Sequence, residues 1–213
     1  MAPRVFLLSP ARIGGPRSFM LLRPAAEFDL AVRLREGTAT IGEVYSFISR
    51  LYFRGKVAYA GAFASALETV PPALTIVPGT GLMSLETPVS GEQMRTIGNV
   101  SIERDYHVYR DTLLRDARSL EQAADPACRV VLLGSIATDK YTTPLLEVFG
   151  ERLVFPADFV GRGDMSRGGL MLRSANTGVE LTYIRVGSAM RRGPRPPKLK
   201  RLAKNKFAPL AKE

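Results

Sequence analysis

An α/β fold, with an open, mostly parallel sheet, flanking helices and a basic C-terminal extension, is predicted by three observations. Four short apolar runs are each followed by a polar loop rich in Gly, Ser, Thr or Arg; helical sequence lies between them; and the positive charge is concentrated at the C-terminal end. Parallel strands are covered on both faces and so read as continuous apolar runs, and their alternation with helical segments points to βαβ units. The 213 residues suffice for one α/β domain, assigned to 1–190, and an appended arm over 191–213.

The first strand is Val5, Phe6, Leu7 and Leu8, stopping at Ser9-Pro10 and running into a glycine- and arginine-bearing loop over 11–17. Pro24 at the start of 25–36 and Gly37 just past its end give the proline-first, glycine-last signature of a helix. Ile41, Val44, Tyr45 and Ile48 repeat at helical spacing, as do Val57, Ala60, Phe63, Ala64 and Leu67, so three helices are expected in series. Leu74 to Val77 form the second strand, ending in Gly79, Thr80 and Gly81; 84–108 reads as largely irregular, with turn signals at Thr87-Pro88 and Ser90-Gly91. Leu113, Ala117, Leu120 and Ala124 mark a fourth helix that Asp125-Pro126 ends. The strongest strand, 129–133, follows, then a loop over 134–141, a helix over 144–149 and a last core strand at Leu153, Val154 and Phe155. Residues 165–175 read either as a helix capped by Asp164 or Ser166, or as the first arm of a hairpin turning at Asn176-Thr-Gly178; 179–186 is expected to be a strand in both readings.

Composition narrows the chemistry. Residues 191–213 hold nine basic side chains against the single acid Glu213, whereas 1–190 holds 21 basic against 19 acidic residues. The basicity therefore belongs to the arm, where Arg191, Arg192, Arg195, Lys198, Lys200, Arg201, Lys204 and Lys206 are candidates for sequence-independent attraction to phosphates. One cysteine, Cys128, excludes an intrachain disulfide and a thiolate cluster, and one histidine, His107, excludes a His-rich metal site. The first apolar run is shorter than the roughly 7–15 residues of a secretory signal, and no stretch approaches the ~20 of a membrane span. A cytoplasmic protein without membrane association, metal or cofactor is expected.

In open α/β sheets ligands bind beyond the carboxyl ends of the strands. The loops there supply Ser9, Arg12, Gly14, Gly15 and Arg17; Gly79, Thr80 and Gly81; Gly134, Ser135, Thr138, Asp139 and Lys140; and Arg162, Gly163, Asp164, Ser166 and Arg167. Residues 161–173 are the most unusual, with four glycines, three arginines, Asp164 and Ser166, yet they match no standard phosphate-binding glycine motif. Backbone amides and guanidinium forks suit phosphate oxygens. The plainer readings are a tight surface turn at 161–169, a simple strand-to-helix turn at 9–15 and a capped helix start at 134–140. Arg54 and Lys56, near Tyr52, read as a solvated helix start or as a further edge of the same crevice. Asp164, the one carboxylate among arginines, is a candidate catalytic group, or else an ion-pair partner of Arg162 or Arg167.

Several of these segments, in order, carry a family resemblance: Ser9-Pro-Ala11 with a following Gly-Gly, Leu51-Tyr-Phe-Arg-Gly-Lys56 leading into Ala58-Tyr-Ala60, Ile76 to Leu82, Val131-Leu-Leu-Gly134 with Lys140-Tyr141, and Phe155-Pro156 before Gly163. In these the chain resembles the YaaA-like group of small bacterial α/β proteins, which includes the peroxide-stress protein. The resemblance implies an α/β fold and a DNA-related role. The chain departs from that pattern in the arginines and Asp164 of 161–173 and in its basic arm.

The expected function is binding of nucleic acid or a nucleotide through an anion-binding crevice aided by the arm. An enzyme acting on a nucleotide or nucleobase, for instance by cleaving an N-glycosidic bond with Asp164 as the catalytic carboxylate, and an interaction protein docking through its arm are the alternatives.

Overall fold

A computed structural model describes residues 3–65, 67, 69–102 and 105–199. Its centre is a six-stranded sheet in the order β4-β3-β1-β6-β7-β8. The parallel core comprises β1 (Arg4–Leu8), β3 (Ala73–Val77), β6 (Arg129–Leu133) and β7 (Leu153–Pro156), the four predicted apolar runs. Val5 to Leu8 and Val130 to Leu133 are almost wholly enclosed, which explains why these strands lack polar alternation. The edges are antiparallel: β4 (Gly81–Ser84) on β3 and β8 (Tyr183–Arg185) on β7. A separate pair joins β2 (Ala39–Thr40) to β5 (Pro88–Val89).

Helices cover both faces. From β1 to β3 the chain passes through α1 (Pro16–Leu21), α2 (Asp29–Glu36), α3 (Ile41–Ser49) and α4 (Leu51–Phe63). After β5 come α5 (Gly91–Asn99) and α6 (Tyr106–Ala123), then α7 (Asp139–Phe149) between β6 and β7. Finally α8 (Asp164–Thr177) packs against α4, while α6 packs against α7. Because β1 to β3 runs one way along the sheet and β3 to β6 to β7 the other, right-handed crossovers place α4 on one face and α6 and α7 on the opposite one, and α8 joins the first face by packing on α4.

Local chemistry accounts for the boundaries. Capping boxes open α3, where Thr40 Oγ1 accepts from the Glu43 amide at 3.3 Å and Glu43 returns the bond at 2.9 Å, and α5, where Ser90 and Gln93 do the same. The latter box turns part of the expected irregular stretch into a helix. Pro24 does not start a helix: the proline-first signal acts at Pro16, and α2 begins at Asp29. The Gly79-Thr80-Gly81 loop turns straight back into β4 rather than into a helix, held by the Leu82 amide donating to Asp116 at 2.8 Å. The helical reading of 165–175 is the one that forms, but its N-cap is Gly163 without a side-chain cap, so neither Asp164, the first helical residue, nor Ser166 caps it. Only three residues of 179–186 join the sheet, because β7 is itself four residues long and pairs with Tyr183, Ile184 and Arg185. Between α3 and α4, Arg50 holds φ at 54°, a left-handed turn that lets the second helix set off in a new direction.

Candidate functional site

Strands β1 and β6 are neighbours whose following segments leave toward opposite faces, so a crevice opens beyond their carboxyl ends. The Ser9 amide donates to Leu133 O at 3.2 Å, tying the two loops together, and Gly134 leaves the space that the Ser9 side chain occupies. The cavity here has a volume of about 370 Å³ and is lined by Ser9, Arg12, Tyr52, Ser135, Lys140, Tyr141 and Asp164. A second hollow of about 420 Å³ continues from it past Ala11 and Ile13 to Pro78 and α5; Pro10, Arg12, Lys140 and Tyr141 line both. Two cations thus stand where the hollows meet, and among the described residues neither Arg12 nor Lys140 has a carboxylate partner.

Lys56 lies beneath the floor. It projects from α4 with no solvent exposure, and its Nζ is 2.8 Å from Ser9 O and 2.7 Å from Ser9 Oγ. Its ammonium also sits 3.9 Å from the centre of the Tyr52 ring. No carboxylate among the described residues lies within ion-pair distance of it. Burial pushes Lys56 down to about 7, with the more distant Asp164 working against that shift and Arg167 adding to it. The neutral amine is therefore accessible near neutral pH, which is rare for a lysine.

Buried phenols lie in and next to the crevice: Tyr52 and Tyr141 line it, and Tyr45 and Tyr109 stand near Tyr141. The hydroxyls of Tyr45, Tyr52 and Tyr109 are enclosed without a hydrogen-bond partner. Among the described residues the Tyr52 hydroxyl makes no hydrogen bond of full geometry, yet Ser9 and Arg167 stand close enough to its oxygen to act against the effect of burial. Burial raises Tyr52 to about 12 and Tyr45, Tyr109 and Tyr141 further, so all four remain protonated donors.

The other predicted residues are used differently. Gly14 and Gly15 form the turn into α1, where the Gly14 amide donates to Ser18 Oγ at 2.9 Å. The Arg17 guanidinium lies over the Phe47 ring at 4.4 Å. Thr138 is the N-cap residue of α7 without a side-chain cap, and Ser135 Oγ accepts from the Ala137 amide at 3.3 Å.

Arg162, Gly163, Ser166 and Arg167 line a separate cavity of about 840 Å³, closed on its far side by Arg195, Lys198 and Leu199 of the C-terminal segment. Arg162 donates to Asp158 O at 2.9 Å and to Ser166 Oγ and Pro197 O at 3.3 Å each; Arg167 donates to Phe159 O at 3.2 Å and pairs with Asp164 at 3.4 Å. Asp164 alone faces both cavities, with its side chain 66% exposed. The glycines serve packing: a Cβ at Gly168 would stand 2.6 Å from Leu51 O and 2.8 Å from Tyr52 Cα, and one at Gly55 would stand 2.6 Å from Gly168 O. Helices α4 and α8 touch backbone to backbone there.

The described part of the arm folds back on the body. Arg191 pairs with Asp139, and Pro194 lies against Gly161. Arg192 is exposed; Lys200, Arg201, Lys204 and Lys206 fall outside the described residues. Cys128 is buried, and among the described residues no group of acidic, His and Cys side chains is placed to hold a metal, nor is any helix long and apolar enough to cross a membrane.

Lys56 is the residue that its sequence context conceals. It was expected as part of a solvated helix start or a crevice edge, and is instead fully enclosed below the floor. Its signal was its place among Tyr52, Phe53, Tyr59 and Ala60, the apolar positions one turn away on either side. In comparisons with known proteins, no family model, curated protein or solved structure matches the chain.

Proposed function

We propose that the chain binds nucleotides, free or as exposed units of a nucleic-acid strand, in the crevice between β1 and β6. The observation that carries this reading is the convergence of Arg12 and Lys140, two cations without a carboxylate partner among the described residues, at the junction of two hollows that Tyr141 also lines. Phosphate oxygens would meet the cations, and sugar or base would lie against Tyr52 and Tyr141. Each hollow falls within the roughly 300–1,000 Å³ typical of small-ligand sites. Arg195 and Lys198, which line the cavity beside the start of α8, and the exposed Arg192 would add a salt-sensitive, sequence-independent attraction. The implied DNA-related role of the YaaA-like group agrees with this assignment.

Fluorescence anisotropy with a labelled single-stranded oligonucleotide tests the reading. Replacing Arg12 and Lys140 together by Ala should weaken binding about tenfold or more and lower the slope of affinity against salt by about 2. An unchanged affinity and slope would remove the crevice from the reading.

A further inference from the structure

The Lys56 amine has more attached to it than a structural anchor requires. A lysine tying β1 to α4 needs only the Ser9 carbonyl, which it reaches at 2.8 Å. Its second bond, at 2.7 Å, goes to the hydroxyl of Ser9, a residue that is itself buried yet lines the crevice. Beside that hydroxyl stands the Tyr52 phenol, whose enclosed oxygen makes no hydrogen bond of full geometry among the described residues, with Ser9 and Arg167 as its nearest polar neighbours. Buried polar groups are rarely left unsatisfied, and those that are cluster where a ligand or a reacting atom completes them. Here a hydroxyl, an amine able to take its proton and an unused donor meet at one point of the floor.

We propose that Ser9 and Lys56 form a nucleophile–base pair that hydrolyses a carboxylic ester borne by a phosphate-carrying molecule, with the Tyr52 hydroxyl donating to the oxygen that becomes negative. The substrate assignment rests on the reading of Arg12 and Lys140 as the phosphate-binding rim. Ser9 Oγ bonds to the carbonyl carbon while its proton passes to the neutral Lys56 Nζ. The tetrahedral adduct collapses, the carbon–oxygen bond to the leaving alcohol breaks, and that alcohol takes the proton from Lys56. Water then attacks the acyl-Ser9 ester, delivers a proton to Lys56 and releases the acid, and the proton returns to Ser9 Oγ. The net change is ester plus water to acid plus alcohol, without any oxidant or reductant.

The groups bearing on Lys56 are Ser9 from the β1 loop, Tyr52 from α4 itself, and Asp164 and Arg167 from α8. The reactive form is the neutral amine, so acylation should rise with pH through about 7, where Lys56 loses its proton.

The probe is p-nitrophenyl acetate with the full chain, following nitrophenolate release above the buffer blank and locating acetyl groups by peptide mapping. Acetylation of Ser9 is expected, rising through about pH 7, with nitrophenolate release above the blank falling at least about 100-fold in Ser9→Ala and in Lys56→Met. No acetyl group on Ser9, or an undiminished rate in folded Lys56→Met, overturns the pair. If Lys56→Met does not fold, the peptide map and pH profile of the unaltered chain decide. Oligonucleotide binding without acetylation of Ser9 overturns this inference and leaves the binding reading standing; acetylation of Ser9 without oligonucleotide binding keeps the nucleophile–base pair and removes the binding reading together with the substrate assignment that rests on it.

Discussion

The crevice between β1 and β6 and the glycine–arginine run at the start of α8 lie side by side, share Asp164, and employ their polar side chains in opposite ways. In the run, Arg162 and Arg167 are occupied by the carbonyls of Asp158, Pro197 and Phe159, and Gly168 exists so that α8 can touch α4. In the crevice, Arg12 and Lys140 have no carboxylate partners among the described residues, and Lys56 is enclosed without a counter-charge. A conspicuous composition thus marks a packing joint, while the unsatisfied groups sit beneath an inconspicuous apolar helix. Free polar capacity, rather than polar content, separates the two regions.

The contrast is tested most strongly at Lys56. Its value in the folded chain lies well below that of an ordinary lysine, so between about pH 7 and the usual value of 10.5 the unfolded chain binds more protons than the folded one. Stability from this group therefore rises with pH across that window, and the full penalty is present below about 7. Lys56→Met should gain stability relative to the unaltered chain at pH 6 compared with pH 10, by on the order of 3 kcal/mol, since the Tyr52 ring returns part of the desolvation cost. Urea melts at the two pH values measure the difference. A gain independent of pH would mean that Lys56 keeps an ordinary ammonium.

At the joint between α4 and α8 the expected effect is somewhat smaller and of a different kind. Gly168→Ala places a methyl against Leu51 O and Tyr52 Cα, which are backbone atoms and cannot rotate away. Overpacking of this sort costs about 2 kcal/mol, read as a lower thermal midpoint. Because Tyr52 forms part of the crevice wall, oligonucleotide binding should weaken as well. A tolerated alanine would return these glycines to a ligand-binding role and dissolve the distinction between the regions.

How far the fold could be read beforehand follows from the same physics. The strands β1, β3, β6 and β7 are covered on both faces, so Val5 to Leu8 or Val130 to Leu133 could hardly be anything else. The loops at Ser9, Gly134 and Asp164 followed from the parallel order. Less was legible where a residue's role depends on a distant neighbour. Gly168 is explained by Leu51, more than a hundred positions away, and Tyr183 to Arg185 pair only because β7 presents an edge of matching length. Lys56 was obscured by its own chemistry, since a lysine in a helix ordinarily reaches water. Helix α4 is enclosed on several sides, and no polar stripe marked where solvent ended.

Asp164 tests the boundary itself, with the smallest expected effect. It is two-thirds exposed, and its pairing with Arg167 at 3.4 Å is of the kind worth about 1 kcal/mol or less, so Asp164→Asn should barely move the stability. Its influence on the crevice is electrostatic. The carboxylate favours the charged form of Lys56 and Arg167 opposes it, so removing the carboxylate leaves burial and Arg167 acting together. The pH midpoint of Ser9 acetylation should then shift downward. Neutralising Arg167 instead, as Arg167→Gln, should shift it upward. Opposite displacements from two members of one ion pair would show that α8 tunes the amine at a distance, whereas a loss of all acetylation in Asp164→Asn would move Asp164 into the reacting group and out of the joint.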